Sequence, residues 1–202
     1  MPRPLRHRLI LVRHGETDWN RSGRLQGQQD LPINARGRDQ AVAVGRLLGH
    51  WFSQQAPGML AATDLVASPL LRACQTMDLV RVGLGPPIRP YTLDDRLKEL
   101  SFGRWEGLTW AQVQRCDPQG ARARKADKWG FVPPDGESYA MLAVRVLAWL
   151  RELQRDTLAV CHGGAARVLL HILAGVSTEK ACETEISQGR ALVFDGPSHE
   201  WI

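Results

Sequence analysis

The sequence predicts an α/β protein in which helices cover both faces of a mostly parallel sheet. Two observations carry this reading. Short apolar runs of strand length alternate with longer segments of helical periodicity, the pattern of successive βαβ units. The chain has 202 residues, 44% of them hydrophobic and 23% charged, enough for one domain with a substantial core.

The elements follow in order. Residues 8–13 (RLILVR) read as a buried strand that breaks at His14-Gly15. From Asn34 to about Phe52, Val42, Val44, Leu47, Leu48 and Trp51 recur at near-helical spacing, which predicts an amphipathic helix. DLVAS (64–68) is a second strand. It leads into a helix from Pro69 to about Val82, with proline in the first turn, where its missing N–H costs nothing. A short strand is expected near 88–91, then a loop and a small helix at 109–115. Residues 116–137, CDPQGARARKADKWGFVPPDGE, are polar and punctuated by Pro and Gly. They read as a variable cover segment, a lid or linker inside a single domain spanning 1–202. Ser138 precedes a long helix (about 139–154), residues 157–161 form a strand, and residues 165–174 a helix. The terminal ALVFDGPSHEWI reads as two strands around a turn at Asp195-Gly196.

Composition narrows the function classes. No apolar run reaches the roughly 18 residues of a membrane helix; the best candidate, MLAVRVLAWL, is short and carries Arg145. The basic N-terminus passes into the first strand without a signal-type apolar region, so a cytoplasmic protein with no membrane partner is expected. The net charge is +5, and the 22 Arg and 4 Lys are scattered, with the longest cluster at 121–128. A nucleic-acid binder concentrates such charge on one face with aromatic platforms, so none is expected as a partner. Arginine does suit small anions, because its planar donors match phosphate and carboxylate. Cys74, Cys116, Cys161 and Cys182 are far apart, which supports neither a disulfide framework nor a zinc site and fits a reduced compartment.

In an open α/β sheet, ligands bind beyond the carboxyl ends of the strands. Three motifs are expected there: RHGET after the first strand, SPLLRA after the second, and CHGG after the strand at 157–161. A single histidine at a strand end is most often structural. Here Arg13 sets a permanent cation beside His14, biasing the imidazole toward its neutral, nucleophilic form. His162 also leaves a strand end, and Gly163 and Gly164 open a helix whose N-terminus favours anions. Arg72 lies one turn into the helix after the second strand and can reach the same crevice. Two arginines and a protonated His162 would supply the positive charge that a metal supplies elsewhere. A leaving alkoxide needs a proton, and composition alone leaves Asp94, Asp95, Glu99 and Glu106 open as its source.

LVRHGETDWN (11–20), GRLQG (23–27), SPLLRACQT (68–76), LKELSFGRWEG (97–107), DGES (135–138) and VCHGG (160–164) together resemble the histidine phosphatase, or phosphoglycerate mutase-like, superfamily. The motifs recur in family order over most of the chain. The resemblance implies a three-layer αβα sandwich with a mixed, mainly parallel sheet. It also implies His14 as phosphate acceptor, Arg13, Arg72 and His162 as phosphoryl ligands, Glu99 as proton donor and acceptor, and neither metal nor cofactor. Family resemblance further suggests that the Gly15 carbonyl fixes the second His14 nitrogen. Asn20, Gln26, Gly27 and the Gly163 N–H are further candidate phosphate or substrate contacts; as turn residues they need have no ligand role.

The activity implied is a metal-independent phosphomonoesterase acting on small phosphorylated metabolites through a phosphohistidine. The alternatives are a phosphoglycerate mutase-type transferase and a non-catalytic phospho-ligand-binding module. Glycolytic mutases of the family carry an RHYG-like segment where this chain has LSFG, Thr-Gly at Gln26-Gly27, and Asn at Gly164, departures that favour a phosphatase of the broad-specificity or α-ribazole branch. Arg122, Arg124, Lys125, Lys128, Trp129 and Phe131 in the cover segment are expected to form a cationic, aromatic rim meeting the far end of an anionic substrate, or else a solvated loop. A monomer or homodimer is expected.

Overall fold

The computed structural model describes residues 6–196 and 198–202. The first five residues of the basic N-terminus, and Pro197 in the expected terminal hairpin, lie outside the described residues. Six strands form one sheet: β1 (Leu9–Arg13), β2 (Asp64–Ala67), β3 (Thr92–Leu93), β4 (Thr157–Cys161), β5 (Ala191–Asp195) and β6 (Ser198–Trp201). Their spatial order is β3-β2-β4-β1-β5-β6. The pairings from β3 to β1 are parallel, and those of β5 and β6 antiparallel, so the sheet is mixed and mainly parallel as expected.

The described helices are α1 (Asp18–Arg21), α2 (Ala35–Ser53), α3 (Met59–Ala62), α4 (Leu71–Leu84), α5 (Trp110–Cys116), α6 (Pro118–Ala126), α7 (Tyr139–Arg151), α8 (Gly163–Ala174) and α9 (Thr178–Glu183). None of them is long and apolar enough to cross a membrane. Alternation along the strands decides the layers, because successive side chains point to opposite faces. Leu9 and Leu11 of β1 join the core built with α7 and α8. Ile10 and Val12 join the opposite core with α2 and α4. Both faces are therefore covered, and the strands carry continuous apolar runs.

Caps set several boundaries. Asn34 caps α2 by accepting from the Gly37 N–H, Ser138 caps α7 through the Met141 N–H, and Thr109 closes a capping box with Gln112 on α5.

Four expectations need correction. The third strand lies at 92–93, not 88–91, because Pro86, Pro87 and Pro90 have no N–H to give to a ladder and pairing with β2 begins only beyond them. Pro69 precedes α4 instead of entering its first turn; Leu70 is the N-cap. The helix after β4 starts at Gly163, directly on His162. The cover segment is not an irregular loop. Asp117 caps α6 by accepting from the Gly120 N–H and Pro118 occupies its first turn, a helix start embedded in the polar stretch.

Register positions the site. β1 and β4 pair with Arg13 opposite Cys161, so the residues that follow, His14 and His162, leave neighbouring strand ends side by side. β2 pairs with β4 through Ala67 and Val160, which brings Ser68 and the start of α4 to the same edge.

Candidate active site

His14 is buried at the carboxyl end of β1, its N–H donating to the Cys161 carbonyl at 2.9 Å. Its Nδ1 lies 2.8 Å from the Gly15 carbonyl oxygen. A carbonyl can only accept, so Nδ1 carries the ring proton and Nε2 keeps a lone pair. Burial, followed by the charges of Arg72 and Arg13, holds the His14 pKa well below 6.5. The Gly15 N–H donates to Thr76 Oγ1 at 2.9 Å, and that hydroxyl donates to the Arg72 carbonyl at 2.7 Å, tying the loop after β1 to α4.

Arg72 is fully buried, with Nη1 donating to the Gln29 carbonyl and Nη2 to the Gly27 carbonyl, both at 2.7 Å. Gly27 sits at φ +54, and a Cβ there would overlap the Glu106 carboxylate, so glycine is needed to turn this carbonyl onto Arg72. Arg13 donates from Nη1 to the Ile186 carbonyl at 2.7 Å. Neither guanidinium is in an ion pair among the described residues. The Nε–H of each is buried without a partner.

The His162 ring lies 5.1 Å from that of His14, centroid to centroid. Its Nε2 is 2.8 Å from Ser68 Oγ and its Nδ1 is buried without a partner. Burial comes first, followed by the charges of Arg72, His14 and Arg13, in holding its pKa well below 6.5. The protonated His162 expected from the sequence is disfavoured while the pocket holds no anion, because burial beside two guanidiniums opposes the charged ring. If the Ser68 hydroxyl donates into Nε2, Nδ1 carries the proton, and a neutral ring still offers a donor. NMR titration of the ring nitrogens is expected to find both histidines neutral at pH 6.5, where an unperturbed imidazole is half protonated. Two half-protonated rings would contradict a charge state set by burial and the two guanidiniums.

Glu99 lies against the N-terminus of α8. Its Oε1 accepts from the Gly164 N–H at 3.0 Å and the Leu100 N–H at 2.8 Å, and its Oε2 from the Gly164 N–H at 3.2 Å. A Cβ at position 164 would overlap Glu99 Oε1, so Gly164 makes room for this carboxylate. Burial opposes the charge on Arg13 and Arg72, and Glu99 is the carboxylate that does most to stabilise each cation.

The other carboxylates are engaged elsewhere. Asp94 pairs with Arg96 at 2.7 Å, Asp95 with Lys98 at 3.1 Å, and Glu106 accepts from the Gln28 and Phe102 N–H groups at 3.0 and 3.1 Å.

Gly163 opens α8, and the place a Cβ would take on it is 3.4 Å from Arg167 Nη1 and 3.8 Å from Arg13 Nε. Asn20 caps the turn at Thr17, and its Oδ1 also accepts from Gln188 Nε2 at 3.1 Å. The Gln26 side chain is buried, with Oε1 unpartnered.

Sequence reasoning missed three supporting groups. Gln188 donates to the His14 carbonyl at 3.0 Å, and Ser68 contacts His162. Arg145 donates to the carbonyls of Arg96, Lys98 and Glu99 and pairs with Glu137 at 3.0 Å, framing the Glu99 loop. Only Ser68, inside the SPLLRA motif, carried a local signal. Among the described residues no group of three or more His, Cys, Asp or Glu is arranged to hold a metal ion.

The family profile of the histidine phosphatase superfamily (branch 1) matches residues 9–201. The chain belongs to this family. It is 32% identical over 184 residues to a glucosyl-3-phosphoglycerate phosphatase of Mycolicibacterium vanbaalenii, covering 85% of this chain and 76% of that protein. It is 29% identical to a 2,3-bisphosphoglycerate-dependent phosphoglycerate mutase of Beijerinckia indica, covering 92% and 90%. A crystal structure of an Escherichia coli protein described as a candidate alpha-ribazole-5'-P phosphatase superposes with a TM-score of 0.79 at 28% identity, covering 97% of this chain and 94% of that one. These matches support the αβα sandwich and phosphatase activity.

In this histidine phosphatase the cover segment walls a cavity of about 1070 Å³. Arg167, Arg124, Lys128, Trp129, Tyr139 and Phe102 are among its lining residues. Trp129 stacks on Tyr139 at 5.8 Å between centroids, and Phe131 on Trp105 at 5.4 Å, so the segment is anchored by aromatic packing and is not a solvated loop.

Proposed function

We propose that this chain is a metal-independent phosphomonoesterase that hydrolyses small phosphorylated metabolites through a phosphohistidine on His14, as a single domain over residues 1–202. One observation carries the reading: two buried guanidinium N–H groups, Arg13 Nε and Arg72 Nε, and the buried His162 Nδ1, which is a donor when Ser68 donates to Nε2, all lack partners around the His14 imidazole. Unsatisfied buried donors are costly, and a phosphoryl group's oxygens would satisfy all three at once. Asn20, Gln26 and the Gly163 N–H would add further polar contacts, and Gly27 acts through its carbonyl on Arg72.

The chemistry then divides into two displacements. His14 Nε2 attacks phosphorus as the bond to the leaving oxygen breaks, and Glu99 gives that oxygen its proton. Water then attacks the phosphohistidine, Glu99 recovers a proton from it, and phosphate leaves with His14 restored. The arginines stabilise the charge on the equatorial oxygens, and positioning supplies much of the rest. A panel of phosphomonoesters is expected to release phosphate undiminished in chelator. Activity lost with chelator and restored by Mg²⁺ or Zn²⁺ would overturn the metal-independent reading.

A second reading, phosphoryl transfer between positions of one substrate, has the mutase relative in its favour. The sequence departs from the glycolytic mutases at Gly164, where they carry Asn, and a side chain there would require the Glu99 carboxylate to shift from its present place. Release of inorganic phosphate, rather than a positional isomer, separates the two. A cytoplasmic setting accords with the unpaired Cys74, Cys116, Cys161 and Cys182. A monomer or homodimer without a nucleic-acid partner completes the proposal.

A further inference from the structure

One short stretch of chain touches both Arg72 and the Glu99 loop. The carbonyls of Gly27 and Gln29 accept from Arg72 Nη2 and Nη1, and the half-buried residue between them, Gln28, reaches Glu99. Its Nε2 donates to the Glu99 carbonyl at 3.1 Å and to Glu137 Oε2 at 3.3 Å. Both partners can only accept, so the nitrogen end of the amide is the end that meets them. The Gln28 N–H donates to Glu106 Oε1 at 3.0 Å, an oxygen that also accepts from the Phe102 N–H and the Ser101 hydroxyl, at 3.1 and 3.3 Å. Glu137 Oε2 accepts in turn from the Ser101 N–H at 3.0 Å. Gln28 therefore meets both carboxylates that hold residues 101 and 102.

Glu99 is held at two points. Its carboxylate lies on the Gly164 N–H of α8, and its carbonyl accepts from Gln28 Nε2 and from Arg145 Nη2 at 3.0 Å. Arg145 ties this loop to α7, whereas Gln28 ties it to the stretch whose carbonyls hold Arg72. Removing the Gln28 amide would leave neither acceptor bare. The Glu99 carbonyl would keep Arg145, and Glu137 would keep Arg145 and the Ser101 N–H. The usual cost of a lost hydrogen bond, an unpaired buried acceptor, is therefore absent. The fold should survive, and what is lost is the fixed placement of Glu99 relative to Arg72.

We infer that Gln28 is a positioning residue for proton transfer: by donating to the Glu99 carbonyl from the loop that holds Arg72, it keeps the acid in register with the phosphoryl group that Arg72 binds. This rests on the phosphatase reading, and it adds a residue through which Glu99 acts. Gln28 works through the Glu99 backbone, so its effect belongs to the step that needs the acid and not to phosphate binding.

The test compares Gln28→Met, which keeps the length of the side chain and loses its donors, with Gln28→Glu, which keeps the shape and sets a carboxylate against Glu137 and the Glu99 carbonyl. In Gln28→Met the rate of the phosphorylation step with an alkyl phosphate is expected to fall roughly 5- to 10-fold, and in Gln28→Glu further, because a small displacement of an acid is costly. An activated aryl phosphate should lose less than roughly 2-fold in the same step, since its leaving group hardly needs a proton. The inhibition constant of inorganic phosphate should stay within roughly 2-fold, because the backbone carbonyls on Arg72 are untouched. In a Glu99→Gln background Gln28→Met is expected to add little, since no transferable proton is left to position.

Amide hydrogen exchange reads the placement without turnover. The Leu100 and Ser101 amides are expected to exchange roughly 5- to 10-fold faster in Gln28→Met, with β1 and β4 unchanged. Wild-type phosphorylation rates in Gln28→Met, equal losses for alkyl and aryl esters, or losses fully additive with Glu99→Gln would overturn the role of Gln28. A wild-type protein that releases no phosphate from either ester would defeat the phosphatase reading. In that case faster exchange at Leu100 and Ser101 in the variant would uphold the placement of the loop by Gln28, and unaltered exchange would overturn it.

Discussion

His14→Ala is expected to lower turnover of any phosphomonoester by ~10⁴ or more, since no other group can take the phosphoryl transfer along the same path. The neighbours explain the size of the effect. Nε2 is the one ring nitrogen left with a lone pair once Nδ1 is committed to the Gly15 carbonyl, and burial beside Arg13 and Arg72 keeps the ring unprotonated. Removing it leaves the arginine and His162 donors in place, so phosphate should still bind and raise the melting temperature of the variant. That pairing, activity lost and phosphate binding retained, separates loss of a nucleophile from loss of the fold. A variant retaining more than a tenth of wild-type turnover would mean that water attacks phosphorus directly.

Glu99→Gln is expected to lower kcat for an alkyl ester by a factor of about 10² to 10⁴, the range for general acid-base groups. Glutamine keeps an oxygen that can accept from the Gly164 and Leu100 N–H groups, so the loop should stay in place while the transferable proton is lost. An activated aryl phosphate, whose leaving group hardly needs protonation, should lose less in the phosphorylation step. Burst kinetics separate that step from hydrolysis of the intermediate. Equal losses for alkyl and aryl esters in the burst phase would move the acid to another carboxylate.

Much of this site is legible in the sequence because each central part sits at a strand end that local pattern marks. The apolar runs before His14 and His162 are short and break on glycine, and parallel pairing of β1 with β4 then brings the two histidines together without further information. Arg72 is legible for the same reason, one turn past β2. What stays hidden depends on long-range contact. Gln188 reaches the His14 carbonyl across 174 positions of sequence, and Arg145 reaches the Glu99 carbonyl across 46, with no local motif to mark either.

The charge state of His162 was also beyond sequence reasoning. It depends on how completely the imidazole is buried and how near Arg72 stands, and neither is a property of spacing. The cover segment misled by composition. Its Gly, Pro and charge suggested a loop, while the Asp117-Pro118 start and the aromatics Trp129 and Phe131 were enough to fold and anchor it. Of the cations there, Arg124 and Lys128 are half-buried while Arg122 and Lys125 are exposed, a division that packing sets and sequence order does not show.

The measurement closest to the central claim is a chemical trap of the intermediate. The protein is mixed with a radiolabelled phosphomonoester at low pH, quenched in denaturing alkali, digested, and the labelled peptide identified. A phosphohistidine is expected: label stable in base, lost in acid, mapped to the peptide containing His14, and absent from His14→Ala. Label that survives acid, maps elsewhere, or persists on His14→Ala would contradict a phosphoryl transfer through His14.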